Sequence, residues 1–435
     1  MTDIHTQFID LSELKVGMFV YLDMGWMDHP FPVSSFEVRS QEQITTLQSL
    51  GLERIRYAPA KSSPEFSQRH TESAPSLAVI SPAQPEPSAS ELAHSNKLAE
   101  GRKRRDLLAN QQASLLVCER QFMLASQTFK QVTETVHAQP LLARKHAEDL
   151  VHSFLGEVLG EGEAAIRLLS EKAGERTSLH SINVTIISLL LGKALHLDKA
   201  DMLELGIGAL LHDIGKMELP DRLRWPEDHF THAERQLYQD HVLHGVTIGR
   251  KLALSANAML LIAQHHECVD GSGYPSRILA EKISPLARIA ALVNRYDNLC
   301  NPGNPALAIT PHEALSHIFT QSKSQFHAPT LTAFIRMMGI YPPGSVVQLT
   351  DDRFALVVSV NSARPIKPRV VIHNPEIPRD DALVINLDKE KKLGIHRSLK
   401  PLQLPKAAYD YLSPRKRLCY FFERGRELEE VGAES

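Results

Sequence analysis

A mainly helical protein is predicted, with a small α+β module ahead of the helices and a small strand-rich appendage behind them. Three observations carry that reading. From about Leu98 to Phe334 almost every segment spaces its apolar residues as a helix does, and Gly and Pro fall mainly at segment ends. Between about Phe8 and Ala58 short runs alternate in character, as half-buried strands do. Beyond Gly344 the runs SVVQLT, FALVVSVN, RVVIHN and ALVIN are rich in β-branched residues and separated by turn residues.

In chain order, residues 1–60 hold the first module: LKVGMFVYLDM and FEVRS as strands, QEQITTLQSLG as a helix closed by Gly51, and LERIRYA as a further strand. Residues 61–97 shift to Ser, Pro, Ala and Glu, which bury too little apolar surface to offset ordering entropy, so a disordered linker is expected. Residues 98–338 form the helical domain behind a leading helix, and INVTIISLLLGKALHL, apolar on nearly all sides, is its buried helix. Residues 339–435 are the strand-rich appendage and a tail that reads as helical and charged.

Composition excludes several classes. The 435 residues are 43% apolar, ordinary globular material with room for two or three domains. Lys and Arg number 48 against 51 Asp and Glu, so the surface has no general attraction for nucleic acid. The clusters Arg102 to Arg105 and Arg415 to Arg417 read as solvated element ends. Four cysteines without a C-x-x-C pair fit a reducing, cytoplasmic setting. The N-terminus has no basic start followed by an apolar run, and no stretch reaches the ~20 apolar residues of a membrane helix, so no membrane insertion is expected.

Histidine stands out, with 21 in all and several in one central stretch. LLHDIGK sets His212 beside Asp213 near the end of a helix beginning at about Ala200. Neighbouring helical positions project about 100° apart, so the imidazole can hold one metal while the carboxylate reaches that metal and a second. Alone, the pair reads more readily as a capped helix end stopped by Gly215. His180 opens the buried helix, His241 sits in QDHVLHG, and His265 and His266 sit in AQHHECVDGSGYP. Each by itself is best explained as a satisfied core histidine. Together, from separate helices and beside a His-Asp pair, they indicate a metal centre inside a bundle. The loop DGSGYP that follows has glycine freedom and a rigid exit, and it can admit a substrate beside Gly273, Tyr274 and Pro275.

HDIGK (His212 to Lys216) and HHExxDGSGYP (His265 to Pro275), with His180 before and His241 between, resemble the HD-GYP family of bacterial cyclic di-GMP phosphodiesterases. The stretch DLSELKVGMFVYLDMGWMDHPF resembles a module that often precedes such domains; Trp26 and Phe31 in it read as core. The resemblance implies an all-helical HD-type bundle holding two divalent metal ions, iron or manganese. By position, His180, His212 and Asp213 would hold one metal. Asp213 would be shared with the other, which adds His241, His265 and His266. It further implies that a hydroxide between the metals attacks phosphorus while the cations neutralise phosphoryl charge, with Asp213 and Lys216 as the catalytic pair. Lys216 reads equally as a helix C-terminal cation.

The sequence also departs from the family pattern. Where the family closes the first metal with an Asp in D-x-Y-D-A-L, this chain has Asn294, an amide oxygen that binds a hard cation less strongly. Where it places an Arg and a Lys on the dinucleotide, Gly303 and Leu307 stand here, so Arg277 and Arg288 are the candidate replacements. Arg176 occupies the position of a third-metal Glu, so two metals are expected rather than three.

Three functions follow, in order of preference. The first is a phosphodiesterase giving pGpG or GMP. The second is a catalytically degenerate domain that serves as a cyclic di-GMP receptor or interaction module. The third is a phosphohydrolase for other nucleotides, which would not call for the GYP loop. The expected partners are cyclic di-GMP and signalling proteins such as a diguanylate cyclase, and packing or homodimerisation is the default role for the appendage.

Overall fold

The computed structural model describes residues 6–22, 35–38, 40–49, 54–62, 89–160, 164–170, 176–225, 230–360, 367–390 and 392–424. Trp26, Phe31 and most of the expected linker lie outside them. The chain divides into Met1–Ser88 and Ala89–Ser435.

The first unit is an antiparallel sheet with one helix. Strands β1 (Gln7–Asp10), β2 (Phe19–Tyr21), β3 (Ser35–Glu37) and β4 (Arg54–Tyr57) lie in the order β1-β4-β2-β3, with α1 (Gln41–Ser49) between the last two in sequence. Period-two burial is visible in β4, where Ile55 enters the core and its neighbours Arg54 and Arg56 do not. Val20, Val38, Ile44 and Leu47 complete that core.

In the second unit the helices come first. These are α2 (Ala89–Thr135), α3 (Pro140–Leu159), α4 (Arg176–Ala194), α5 (Lys199–Leu211), α6 (His232–Gln239), α7 (His241–Lys251), α8 (Ala256–Gln264), α9 (Pro285–Cys300), α10 (Pro311–Gln321) and α11 (Ala328–Met338). Their starts follow capping chemistry. Asp198, Ser255 and Ser284 each accept a backbone N–H of the first turn of α5, α8 and α9, and Thr231 with Glu234 forms a capping box on α6. As its composition requires, α4 is buried all round: Ile182, Ile186, Ile187 and Leu189 are fully enclosed. No helix among the described residues is long and apolar enough to cross a membrane.

A seven-stranded sheet closes this unit. It comprises β5 (Ala164–Leu168), β6 (Val346–Leu349), β7 (Phe354–Val360), β8 (Arg369–Ile372), β9 (Val384–Asn386), β10 (Ile395–Leu399) and β11 (Tyr420–Arg424), with β7 pairing β5, β6 and β8. Two elements correct the sequence reading. AAIRL, within the stretch read as helical, is strand β5, and the tail read as helical and charged instead supplies one short helix, α12 (Lys406–Leu412), and strand β11. The two strands pair antiparallel, Tyr420 opposite Leu168 through Arg424 opposite Ala164. The physical reason is aromatic burial: Phe421 packs edge-on to Phe122 and Phe154, and Phe154 also meets Phe422. The leading helix also starts at Ala89, earlier than expected, and Gln111 exchanges hydrogen bonds with both backbone groups of Val384 at 3.0 and 2.8 Å.

Candidate metal centre

Four helices and one short turn bring the histidines together. His180 lies in the second turn of α4; His212 ends α5, with Asp213 next; His241 is the first residue of α7; His265 ends α8 and His266 follows. The turn Ile214–Glu218 continues from Asp213 and packs on α7 so closely that a Cβ on Gly215 would lie 1.9 Å from the His241 carbonyl oxygen and 2.3 Å from the Gly245 nitrogen. Gly215→Ala therefore separates the segments carrying His212, Asp213 and His241. It is expected to cost at least ~2 kcal/mol and to lower metal binding, read by thermal unfolding and metal analysis.

The side chains form two sets that could hold a metal ion, His180–His212–Asp213 and Asp213–His241–His265–His266, each with its donor atoms within 4.8 Å of one another. Asp213 divides its oxygens between them. Oδ2 lies 3.4 Å from Nε2 of both His180 and His212, while Oδ1 lies 3.4 Å from His241 Nε2 and 3.7 Å from His265 Nε2. Lys216 Nζ donates to Oδ2 at 2.6 Å and lies 5.2 Å from the Tyr238 ring centre.

The ring orientations suit cations. Nδ1 of His212, His241 and His265 donates to the carbonyls of Ala209, Tyr238 and Ile262 at 2.7, 2.5 and 2.8 Å, which leaves each Nε2 as a lone pair. His241 Nε2 and His265 Nε2 face each other at 3.4 Å, Asp213 Oδ1 faces the same pair, and both Asp213 Oδ1 and His266 Nε2 are buried without a hydrogen-bond partner. Such a convergence of electron pairs is repulsive until a cation occupies it. On the other side His212 Nε2 lies 3.2 Å from His180 Nε2.

Electrostatics separate the rings. Burial drives His212 down to about 4 and His241 to about 3, and holds His266 well below the usual range, so all three are neutral near pH 7. Burial opposes charge on His180 too, but Asp213 and Asp297 on either side outweigh it and raise its pKa to about 9. A proton there stands where a cation would. Burial disfavours the Asp213 carboxylate, yet the Lys216 ammonium beside it keeps it ionised, well below the ordinary value.

The loop after His266 is stapled to the site. Glu267, 3% exposed, accepts the backbone N–H of Ser276 at 2.7 Å and of Ile278 at 3.2 Å, and the Tyr274 ring stacks on His266 with centroids 4.4 Å apart. A Cβ on Gly273 would sit 2.4 Å from the Cys268 nitrogen, so only glycine lets the loop approach this closely. The Tyr274–Pro275 peptide is cis.

Two cavities reach the centre. One of about 640 Å³ is lined by His265, His266, Tyr274 and Asn294, with Arg235 and Arg295 on its walls. The other, about 300 Å³, touches His180, Asp213 and Lys216 beneath Phe129 and Trp225.

Of the substrate-binding candidates, Gly273 and Tyr274 line the larger cavity, and Pro275 is exposed beyond it. Arg277 and Arg288 are not among the described residues lining either cavity. Arg277 is exposed at φ 51°, and Arg288 donates to the carbonyls of Ile283 and Ala280 rather than to an acid. Asn294 is buried beside His265 and His266, but its side-chain oxygen already accepts from Asn298 at 2.6 Å. Gly303 and Leu307 do line the larger cavity, uncharged; the Arg176 side chain lies outside the described residues. Sequence reasoning missed Glu267, Arg235 and Arg295. Glu267 sits inside the quoted motif and Arg295 beside Asn294, so proximity to ligands was the available signal.

The family model for the HD domain matches residues 163–329. Residues 163–329 are an HD domain. A second family model, a domain of unknown function (DUF3391), matches residues 6–147, so the HD domain follows a recognised N-terminal module. Among curated relatives, a cyclic di-GMP phosphodiesterase of Pseudomonas aeruginosa is 28% identical over 368 residues, 84% of each chain. One of Borreliella burgdorferi is 23% identical over 46% of this chain and 53% of its own length. A 3'3'-cGAMP-specific phosphodiesterase of Vibrio cholerae is 31% identical over 28% of this chain and 27% of its own length. Among solved structures, an HDG"Y"P protein from Bdellovibrio bacteriovorus superposes with a TM-score of 0.41 at 15% identity, covering 76% of this chain and 98% of that one.

Proposed function

We propose that this protein is a metal-dependent phosphodiesterase that hydrolyses cyclic di-GMP to pGpG or GMP. The observation that carries the reading is the division of the Asp213 oxygens between two imidazole sets. His180, His212 and Asp213 would hold one divalent cation, and Asp213, His241, His265 and His266 the other. Iron and manganese suit these nitrogen-rich sets better than magnesium does. Bound there, the pair supplies Lewis-acid activation of water and of the phosphoryl group.

The chain's own residues do the rest. Lys216, held on Asp213, keeps the carboxylate ionised and places a cation beside the scissile phosphate. Tyr274 offers an aromatic face at the rim. Arg235, whose Nε donates to the Phe230 carbonyl, and Arg295, without an ion-pair partner among the described residues, take over anion binding from the uncharged positions 303 and 307. Glu267 is the one carboxylate in that lining among the described residues, and backbone donors occupy it. The larger cavity is therefore suited to a ligand with two phosphates.

The test is turnover of cyclic di-GMP by anaerobically purified protein with iron(II) or manganese(II), beside 3'3'-cGAMP and nucleoside triphosphates. The relatives' names support a cyclic dinucleotide; preference for a triphosphate contradicts it. The engaged oxygen of Asn294 and the missing basic pair favour a second reading, a receptor without catalysis, which predicts tight binding and no product. Asn294→Asp separates them further. Adding the charge is expected to tighten metal binding by about tenfold or more in a chelator competition, with a gain in turnover if loose metal limits the enzyme.

A further inference from the structure

We propose that the C-terminal segment Leu418–Tyr420 is a working part of the metal centre: through Asn183, Asn301 and Asp297 it sets the orientation of His180, and with it the affinity for the cation on the His180–His212 side. The inference rests on the two-metal reading above and adds that its two halves are held by different means.

The difference lies in how each ring is oriented. His212, His241 and His265 each donate Nδ1–H to the carbonyl three residues back, on or beside their own helices. Those rings need nothing from elsewhere. His180 Nδ1 instead donates to Asp297 Oδ2 at 2.6 Å, a carboxylate on α9, 117 residues away and fully buried. A buried carboxylate must find donors for its other oxygen. Asp297 Oδ1 finds two side-chain amides, Asn183 Nδ2 and Asn301 Nδ2, both at 2.9 Å.

Each amide is in turn fixed by the same distant backbone. Asn183 donates to the Leu418 carbonyl at 2.7 Å and accepts from the Tyr420 N–H at 3.1 Å. Asn301 donates to that carbonyl at 3.1 Å and accepts from the Leu418 N–H at 2.8 Å. An amide presents two donors and one acceptor on one plane, so a shift of residues 418–420 rotates both amides and carries Asp297 with them. Outer hydrogen-bond partners of this type set a metal ligand's tautomer and aim, and losing them typically costs ~10- to 100-fold in metal affinity. The strand-rich appendage, none of whose described residues is among the candidate ligands, thus reaches the site through two asparagines.

The test uses the full-length protein loaded with manganese(II) or cobalt(II), read by metal stoichiometry, chelator competition and the cobalt d–d absorption. In the Asn183→Ala/Asn301→Ala variant, one of the two bound metals is expected to weaken by ~10- to 100-fold while the other stays within about threefold of wild type, and the cobalt spectrum should lose one component. The single variants, each keeping one amide bridge, should fall between, and they carry the test if the double variant does not fold. Ser359→Ala is the control, because it loosens the same strand through its 2.9 Å bond to Glu423 without touching Asp297, and both metals should remain. Two metals at wild-type affinity in the asparagine variants would overturn the inference alone. Wild-type protein that binds fewer than two metals would overturn the two-metal reading with it. Equal weakening of both metals, in the variants and in the control, would reduce the network to ordinary packing and overturn the proposal.

Discussion

Asp213→Ala is expected to empty both metal sites at once and to lower phosphodiester turnover by at least ~10³-fold, the several kcal/mol that a bound cation contributes to a phosphoryl transition state. The single substitution reaches so far because each Asp213 oxygen faces a different pair of imidazoles. His180→Ala and His266→Ala should differ from it in kind, each weakening one site and leaving the other. Asp213→Asn keeps the shape and removes the charge, so it should bind metal better than the alanine variant and worse than wild type. Metal analysis on the same preparations decides the point; full occupancy in Asp213→Ala would show that the carboxylate does not bridge.

The second large effect is on stability. Glu423→Leu should destabilise the protein by about 3–5 kcal/mol, the usual result of stranding a buried charge. Glu423 accepts from Arg167 at 3.0 Å, from Ser359 at 2.9 Å and from Arg369 at 3.3 Å, with Arg167 and Glu423 only 5% and 1% exposed. Removing the acid leaves the Arg167 guanidinium in the sheet core without its partner. Glu423→Gln retains an acceptor and should cost clearly less, and Arg167→Met/Glu423→Leu together should cost less than Glu423→Leu alone. Urea unfolding followed by circular dichroism gives the comparison. A Glu423→Leu midpoint equal to wild type would mean that Arg167 finds another partner or water.

Much of this architecture was legible in the chain. Helical periodicity located the bundle, and the buried helix around Ile186 announced itself by being apolar on every face. Four of the metal-ligand candidates were legible because their motifs are local: HDIGK and HHE each place two of them side by side at a helix end. What escaped was the non-local part. β5 and β11 are five residues each and pair with each other across some 250 residues, with β7 on the other edge of β5, which no local pattern announces. The cationic wall was missed although Arg295 directly follows Asn294, because adjacency does not say which side chains share a cavity. Arg277 and Arg288 line neither cavity, whereas Arg235 and Arg295 line the larger one. Nor could spacing reveal that Asp297 serves His180, because that bond joins two helices 117 residues apart.

The most direct measurement is a crystal structure of the manganese-loaded protein with anomalous scattering data. Two peaks are predicted, one between Asp213 Oδ2 and the His180–His212 pair and one between Asp213 Oδ1 and the three remaining imidazoles. A single peak, or peaks that Asp213 does not touch, would contradict the account.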